Sequence, residues 1–188
     1  MRAETKDEGT GIGDSFDRVV DGIHPATRQS IRWSGTYAFS RALRLRSRLE
    51  GVRSVPAPSV VAAPAGSSSD ATAPSSQYGM LLYQDVRWSP TSWLTVDGRL
   101  SVFDTDDYAT RVFAYETDVL YSFTVPALQG RGQRSYLFVR LRPHRQWVVE
   151  VKIAETRYRG VQSVGSGLQE VAGNRVREVR VQLQWRLR

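Results

Sequence analysis

From Ile31 to the C-terminus, apolar side chains recur at every second residue. A period of two puts them on one side of an extended strand, whereas a helix repeats at 3.6. The last run is the cleanest: Val179, Val181, Leu183, Trp185 and Leu187 alternate with Glu178, Arg180, Gln182, Gln184 and Arg186. Earlier runs share the pattern. Leu43, Leu45 and Leu49 oppose Arg44, Arg46, Arg48 and Glu50. Met80, Leu82, Val86 and Trp88 oppose Tyr83, Asp85 and Arg87, and Leu94, Val96, Leu100 and Val102 oppose Thr95, Asp97, Arg99 and Ser101. Trp147, Val149, Val151 and Ile153 oppose Glu150 and Lys152. The expected class is all-β, with antiparallel strands joined in an up-and-down order. A chain of 188 residues holds about eight to ten such strands with their loops.

Two stretches break the pattern. Residues 1–30 are polar, with Gly9, Gly11, Gly13 and Gly22, and are expected to be a loop or N-terminal arm with one helical turn at Asp17 to Val20. Residues 54–78, with Pro56, Pro58, Pro64, Ser67 to Ser69 and Pro74, read as a long flexible loop. Matching strands on both sides place that loop inside one β region, residues 31–188. The chain has no cysteine, which excludes disulfides, thiolate zinc sites and cysteine nucleophiles. No stretch approaches the ~18 apolar residues of a membrane helix. Met1 to Asp21 has no apolar signal core, so either an export signal lies upstream of this sequence or a membrane location does not hold.

Alternation does not say whether the apolar face meets a protein core or lipid. Loop lengths favour lipid. Connections around Ser40, Thr91 and Arg145 are tight, while 54–78, 126–134 and 158–174 are long, as in membrane barrels with short turns on one side. The tight turns share a spacing: Phe39 to Leu43, Pro90 to Leu94 and Pro143 to Trp147 are each four residues apart. An even number of strands must then separate them. Residues 110–125 are one strand or two, and parity favours two, split at Glu116-Thr117-Asp118. That gives about nine strands in all, an odd number, and predicts an incomplete portion of a larger membrane barrel. Trp88, Trp93, Trp147 and Trp185 then fall at one rim and Trp33 at the other, as membrane-interface aromatics. The opposite face carries both charge signs, and Arg44, Arg46, Arg48, Asp85, Arg87, Asp97, Arg99, Glu150, Lys152 and Arg180 are expected to face the lumen. The net charge of +7 reads as that Arg-bearing strand face.

Specific segments carry a resemblance. Leu81-Leu82-Tyr83-Gln84-Asp85, Phe103 to Tyr108, Ala114 to Tyr121, Val125-Pro126-Ala127, Gly130-Arg131-Gly132 and Gly165 to Leu168 resemble one group of proteins. These are Gram-negative envelope proteins with helix-hairpin-helix motifs upstream and a C-terminal strand-rich region similar to an outer-membrane barrel. The resemblance covers residues 30–188. It implies a bacterial outer-membrane location, with the lipid bilayer, the barrel-assembly machinery and upstream strands of a longer chain as partners. It also implies DNA contact through the upstream helical motifs. Gly11-Ile12-Gly13 lacks flanking helices, so nucleic acid is expected only through a domain outside this sequence. Barrels of this type commonly end in an aromatic residue, whereas this chain ends Trp185-Arg186-Leu187-Arg188.

Little in the sequence suggests catalysis. The histidines are His24, in the arm, and His144, in a tight turn, a poor basis for a triad or metal site. Asp104, Asp106 and Asp107 lack the Gly and Glu of a calcium loop and read as a solvated loop. Gly165-Ser166-Gly167 lacks the Lys of a phosphate loop. Asp97 and Glu150 are read as partners of Arg. No catalytic residue, metal or cofactor is expected, and the chain is not expected to be an enzyme. The expected function is a structural or transport-associated outer-membrane barrel with a polar, Arg-rich lumen. The alternative is a soluble β-barrel or sandwich that binds anionic ligands or nucleic acid through its Arg-bearing face.

Overall fold

The computed structural model describes residues 2–10, 22–55, 75–165 and 170–186, with side chains from Thr27 onward. It is all-β and antiparallel. The strands in chain order are β1 (Arg2–Thr10), β2 (Gly22–Ala38), β3 (Leu43–Val55), β4 (Gln77–Thr91), β5 (Leu94–Thr105), β6 (Val112–Phe113), β7 (Ala127–Leu128), β8 (Arg131–His144), β9 (Trp147–Tyr158), β10 (Ser163–Val164), β11 (Val171–Ala172) and β12 (Arg175–Trp185). Eight of them form one sheet in the order β1-β2-β3-β4-β5-β8-β9-β12. Each pairs with its predecessor in the chain, apart from the two-residue hairpins β6/β7 and β10/β11 inside the long connections. β1 and β12 are the edges, and among the described residues no ladder joins them.

The three tight turns are built alike. In the first, the Ser40 hydroxyl accepts from the Leu43 and Ala42 N–H groups at 3.0 and 3.2 Å. In the other two the register slips beside a proline, between Trp88 and Thr91 and between Leu141 and His144. Proline cannot donate to the ladder, so a bulge forms where Pro90 and Pro143 enter. The bulged strands then bond backwards: Ser89 N–H donates to Ala42 and Arg142 N–H donates to Trp93, both at 2.7 Å. Arg186 N–H completes the series on Gln146 at 2.9 Å. Each acceptor immediately precedes a strand, so the spacing of four residues marks one repeated joint.

Three stretches differ from the sequence expectation. Residues 2–10 and 22–30 of the expected arm pair as a hairpin, Arg2 opposite Ser30 and Thr10 opposite Gly22. Asp17 to Val20 lies outside the described residues. Segment 110–125 is neither one sheet strand nor two. It belongs to a long connection, residues 106–130, that crosses the charged face of the sheet. Two strands, β5 and β8, therefore separate the turns at Thr91 and Arg145, and the parity rule is met without a split at Glu116. The main sheet has an even number of strands, and the connection expected at 126–134 ends early, with β8 starting at Arg131.

The two faces of the sheet differ: one encloses charged side chains beside Leu81, Phe103 and Phe138, and the other exposes apolar ones. The buried strand residues include Arg48, Glu50, Asp97, Arg99, Arg134, Glu150 and Lys152. The other face presents Leu49, Leu82, Leu100, Val102, Leu137, Ile153, Val179, Val181 and Leu183 to the exterior, with Val181 68% and Leu183 60% exposed. Leu45, Val96 and Val151 stand on the same outer face, half-buried between their cross-strand neighbours.

Candidate functional site

The ten charged residues expected to share a face do so. Register places Arg44 opposite Arg87, Arg46 opposite Asp85, Asp85 opposite Arg99, Arg87 opposite Asp97 and Arg180 opposite Lys152. Most are paired. Arg99 grips both Asp85 oxygens at 2.5 and 2.8 Å, and Arg87 grips Asp97 at 2.5 and 2.9 Å. These are two-point charge-assisted bonds, stronger and more directional than single contacts. The Arg99 guanidinium also stacks 3.8 Å from the Tyr83 ring centroid. Glu150 accepts from Arg140 at 2.6 Å, and Glu50 from Arg48 and Arg32.

Residues 106–130 lie across this face as a strap, and the contacts advance in order. Arg28 of β2 donates to the Ala109 and Arg111 carbonyls at 3.2 and 2.6 Å. Arg48 of β3 reaches the Phe113 carbonyl at 3.3 Å, and Arg99 of β5 reaches Tyr115 at 2.7 Å. Arg134 of β8 holds both Glu116 oxygens at 2.6 and 2.9 Å. Lys152 of β9 lies 3.1 Å from Glu116 and 3.3 Å from Asp118. Arg180 of β12 donates to Asp118 at 2.5 Å. In return Glu150 accepts the Leu120 N–H at 2.6 Å. Six strands thus each contribute one basic side chain to the strap. Backbone carbonyls that would be orphaned on a sheet face acquire cationic donors.

Apolar contacts reinforce the seat. Val112, Ala114 and Leu128 pack on Val52, Leu81, Tyr83 and Phe103, with Tyr158 beside them. Val119 packs on Tyr136, Phe138 and Ala154. Alternate strap residues, Val112, Ala114, Glu116 and Asp118, face the sheet and are buried. Asp107 caps the single turn Tyr108–Thr110 at the start of the strap, and Asp106 accepts the Tyr78 N–H at 2.8 Å. The acidic loop is therefore used in local capping.

Sequence reasoning missed Glu116 and Asp118, the carboxylates that neutralise Lys152, Arg134 and Arg180. Both fall in the triplet Glu116-Thr117-Asp118 that parity marks as a turn, where carboxylates read as solvated. Sequence reasoning also left out Arg134 and Arg140, which share the inward phase of β8 with Tyr136 and Phe138 and so mark no polar row.

Four tryptophans gather at the tight-turn end, Trp88, Trp147 and Trp185 on the outer face and Trp93 in the turn itself. Trp147 and Trp185 stack at 5.6 Å with planes 7° apart, while Trp88 stands in β4 before the turn that holds Trp93. Trp33 stands opposite Leu49, well inside β2 and not at the far rim, because β2 begins at Gly22. The apolar band runs obliquely to the hydrogen-bonded rows. One row reads Trp33, Leu49, Leu82, Val102, Gln133, Arg157, Arg175 and changes from apolar to polar halfway across. A row nearer the tight turns, Leu43, Trp88, Val96, Val139, Val151, Val181, is apolar throughout.

Comparison with protein-family models, with curated proteins and with solved structures found no match.

Proposed function

We propose that this sheet is part of the wall of an outer-membrane β-barrel in a Gram-negative envelope. Its apolar face meets acyl chains, and its charged face lines an interior partly filled by the strap. The observation that carries the reading is the inversion of burial: charged side chains are enclosed while Val179, Val181 and Leu183 stand exposed. In water such a face would be covered by another layer, whereas in a bilayer it is the solvated one. The soluble binding alternative is weaker, because it needs the arginines outside and the leucines inside.

Two further features support the membrane reading. Strands of a membrane barrel tilt by about 35–45°, so a lipid zone of constant height must cut across hydrogen-bonded rows. The oblique apolar band does this. The tryptophans at the tight-turn end stand where an aromatic girdle on the periplasmic rim is expected.

The strap bears on barrel size. A ring of about eight strands has an interior that side chains alone fill. Here a backbone segment with its own hairpin occupies the inner face. That needs a wider ring, and unpaired edges cannot face hydrocarbon. We therefore place further strands between β12 and β1, supplied by a longer chain and folded with it by the barrel-assembly machinery. The role is structural or transport-associated, with the strap narrowing the passage.

Site-directed labelling tests this directly, since the chain has no native cysteine. Nitroxides at Leu137 and Leu183 in liposomes should collide with oxygen and be shielded from a water-soluble nickel chelate. One at Ser101 should not contact lipid. Equal nickel access at Leu137, Leu183 and an aqueous loop site such as Arg145 would end the membrane reading.

A further inference from the structure

The charged face holds a cavity, shared between sheet and strap, whose charges do not cancel. It lies between the tight-turn end of the sheet and the strap, has a volume of about 230 Å³, and is lined by residues that include Arg44, Arg46, Arg87 and Arg99. Asp85 and Asp97 also line it, but Arg99 and Arg87 already occupy their oxygens. Arg44 and Arg46 are left. Among the described residues neither has a carboxylate within ion-pair distance. Arg44 also stands directly opposite Arg87, an arrangement of like charges that is unfavourable in an empty sheet. The hydroxyls of Thr36, opposite Arg46 on β2, and Thr117, on the strap, line the same space.

We infer that this cavity is a binding site for a small soluble phosphate, either inorganic phosphate or a phosphate monoester. Two uncompensated guanidiniums match a dianion in charge. Their planar forks suit paired oxygens, and hydroxyls supply the remaining donors. An anion there also relieves the Arg44–Arg87 opposition, which gives the sheet a reason to tolerate it. The cavity lies on the face opposite the apolar one, so a lipid headgroup on the outer surface cannot reach it. The site depends only on the charged face and the strap, and stands whatever covers the apolar face.

The test is calorimetric titration of the full chain with inorganic phosphate in octyl glucoside, a detergent without phosphate. Chloride at matched ionic strength is the reference. The expected result is saturable binding that weakens at least ten-fold in Arg44→Gln/Arg46→Gln. A control of equal charge change away from the cavity, Arg145→Gln/Arg159→Gln, should bind as the parent does. Arg44→Lys/Arg46→Lys keeps the charge and loses the forks; it should fall between and shows that loss in the Gln pair is not unfolding. No saturable phosphate binding by the parent overturns the inference. So does equal weakening in the cavity and control pairs, which would mark a general response to positive charge.

Discussion

Lys152 Nζ lies 3.1 Å from Glu116 and 3.3 Å from Asp118, and its side chain has no solvent access. One cation thus joins the sheet to two carboxylates of the strap. Arg134 holds Glu116 from one side and Arg180 holds Asp118 from the other. The network is the means by which a polar sheet face accepts a covering segment without an apolar core beneath all of it.

Removing that cation leaves two enclosed carboxylates one charge short. Breaking a buried pair by deleting one partner costs about 3–5 kcal/mol, because the remaining charge stays desolvated. Lys152→Met should lower the free energy of unfolding by about that amount in urea titrations monitored by tryptophan fluorescence. A loss under about 1 kcal/mol would mean that water reaches the site and that the network is not enclosed.

Asp118 makes the strap acid-sensitive. Burial alone would raise its pKa. Hydrogen bonds from Thr124 and the Val119 N–H, with the charge of Lys152, outweigh burial and hold it below the ordinary carboxylate value. The folded value lies below the unfolded one, so the stabilisation is complete above about pH 4 and is lost as pH falls through the folded value. The difference in urea midpoint between the parent and Asp118→Asn should be constant from pH 7 to 5 and shrink below pH 4. A difference that persists unchanged to pH 2 would remove Asp118 from this role.

The sheet was legible in the sequence and the strap was not, for a physical reason. Period two assigns every strand residue to a face whatever lies beyond it, so Arg44 through Arg180 were grouped correctly from alternation alone. Residues 112–118 also alternate, with Val112, Ala114, Glu116 and Asp118 inward. They alternate because they lie extended on a sheet, not because they belong to one. Only the partners distinguish the two cases: carbonyls that accept from Arg48 and Arg99 instead of from a neighbouring strand. The opening hairpin was missed for the converse reason. Residues 2–10 are polar at nearly every position, so no period marks them.

The strap also needs backbone room at its start. A Cβ on Gly79 would run into the Thr110 carbonyl and come within 3.1 Å of Thr110 Cβ. The contact is with backbone, so a side chain cannot simply swing away. Gly79→Ala should displace the strap's first turn at about 1–3 kcal/mol, the usual cost of overpacking. Hydrogen exchange should show faster amides over residues 108–116 and unchanged protection in β9. Unaltered exchange in the strap would show that its seat does not depend on this approach.

The oblique apolar band gives the sharpest discrimination between lipid and a protein partner. Val102 and Gln133 are cross-strand neighbours in one row, on the same outer face. If the row is inclined to the bilayer, Val102 lies within the hydrocarbon and Gln133 at its margin. An Arg near the midplane costs about 2–4 kcal/mol, and one near the interface about 0–1. Val102→Arg should therefore destabilise the protein in liposomes several-fold more than Gln133→Arg, although the two sites are paired. Farther along the sheet the boundary shifts toward the tight turns, so Val179→Arg should be costly and Arg177→Leu nearly neutral. Equal costs at Val102 and Gln133 would mean that the face does not sample a graded medium, and that another layer of protein covers it.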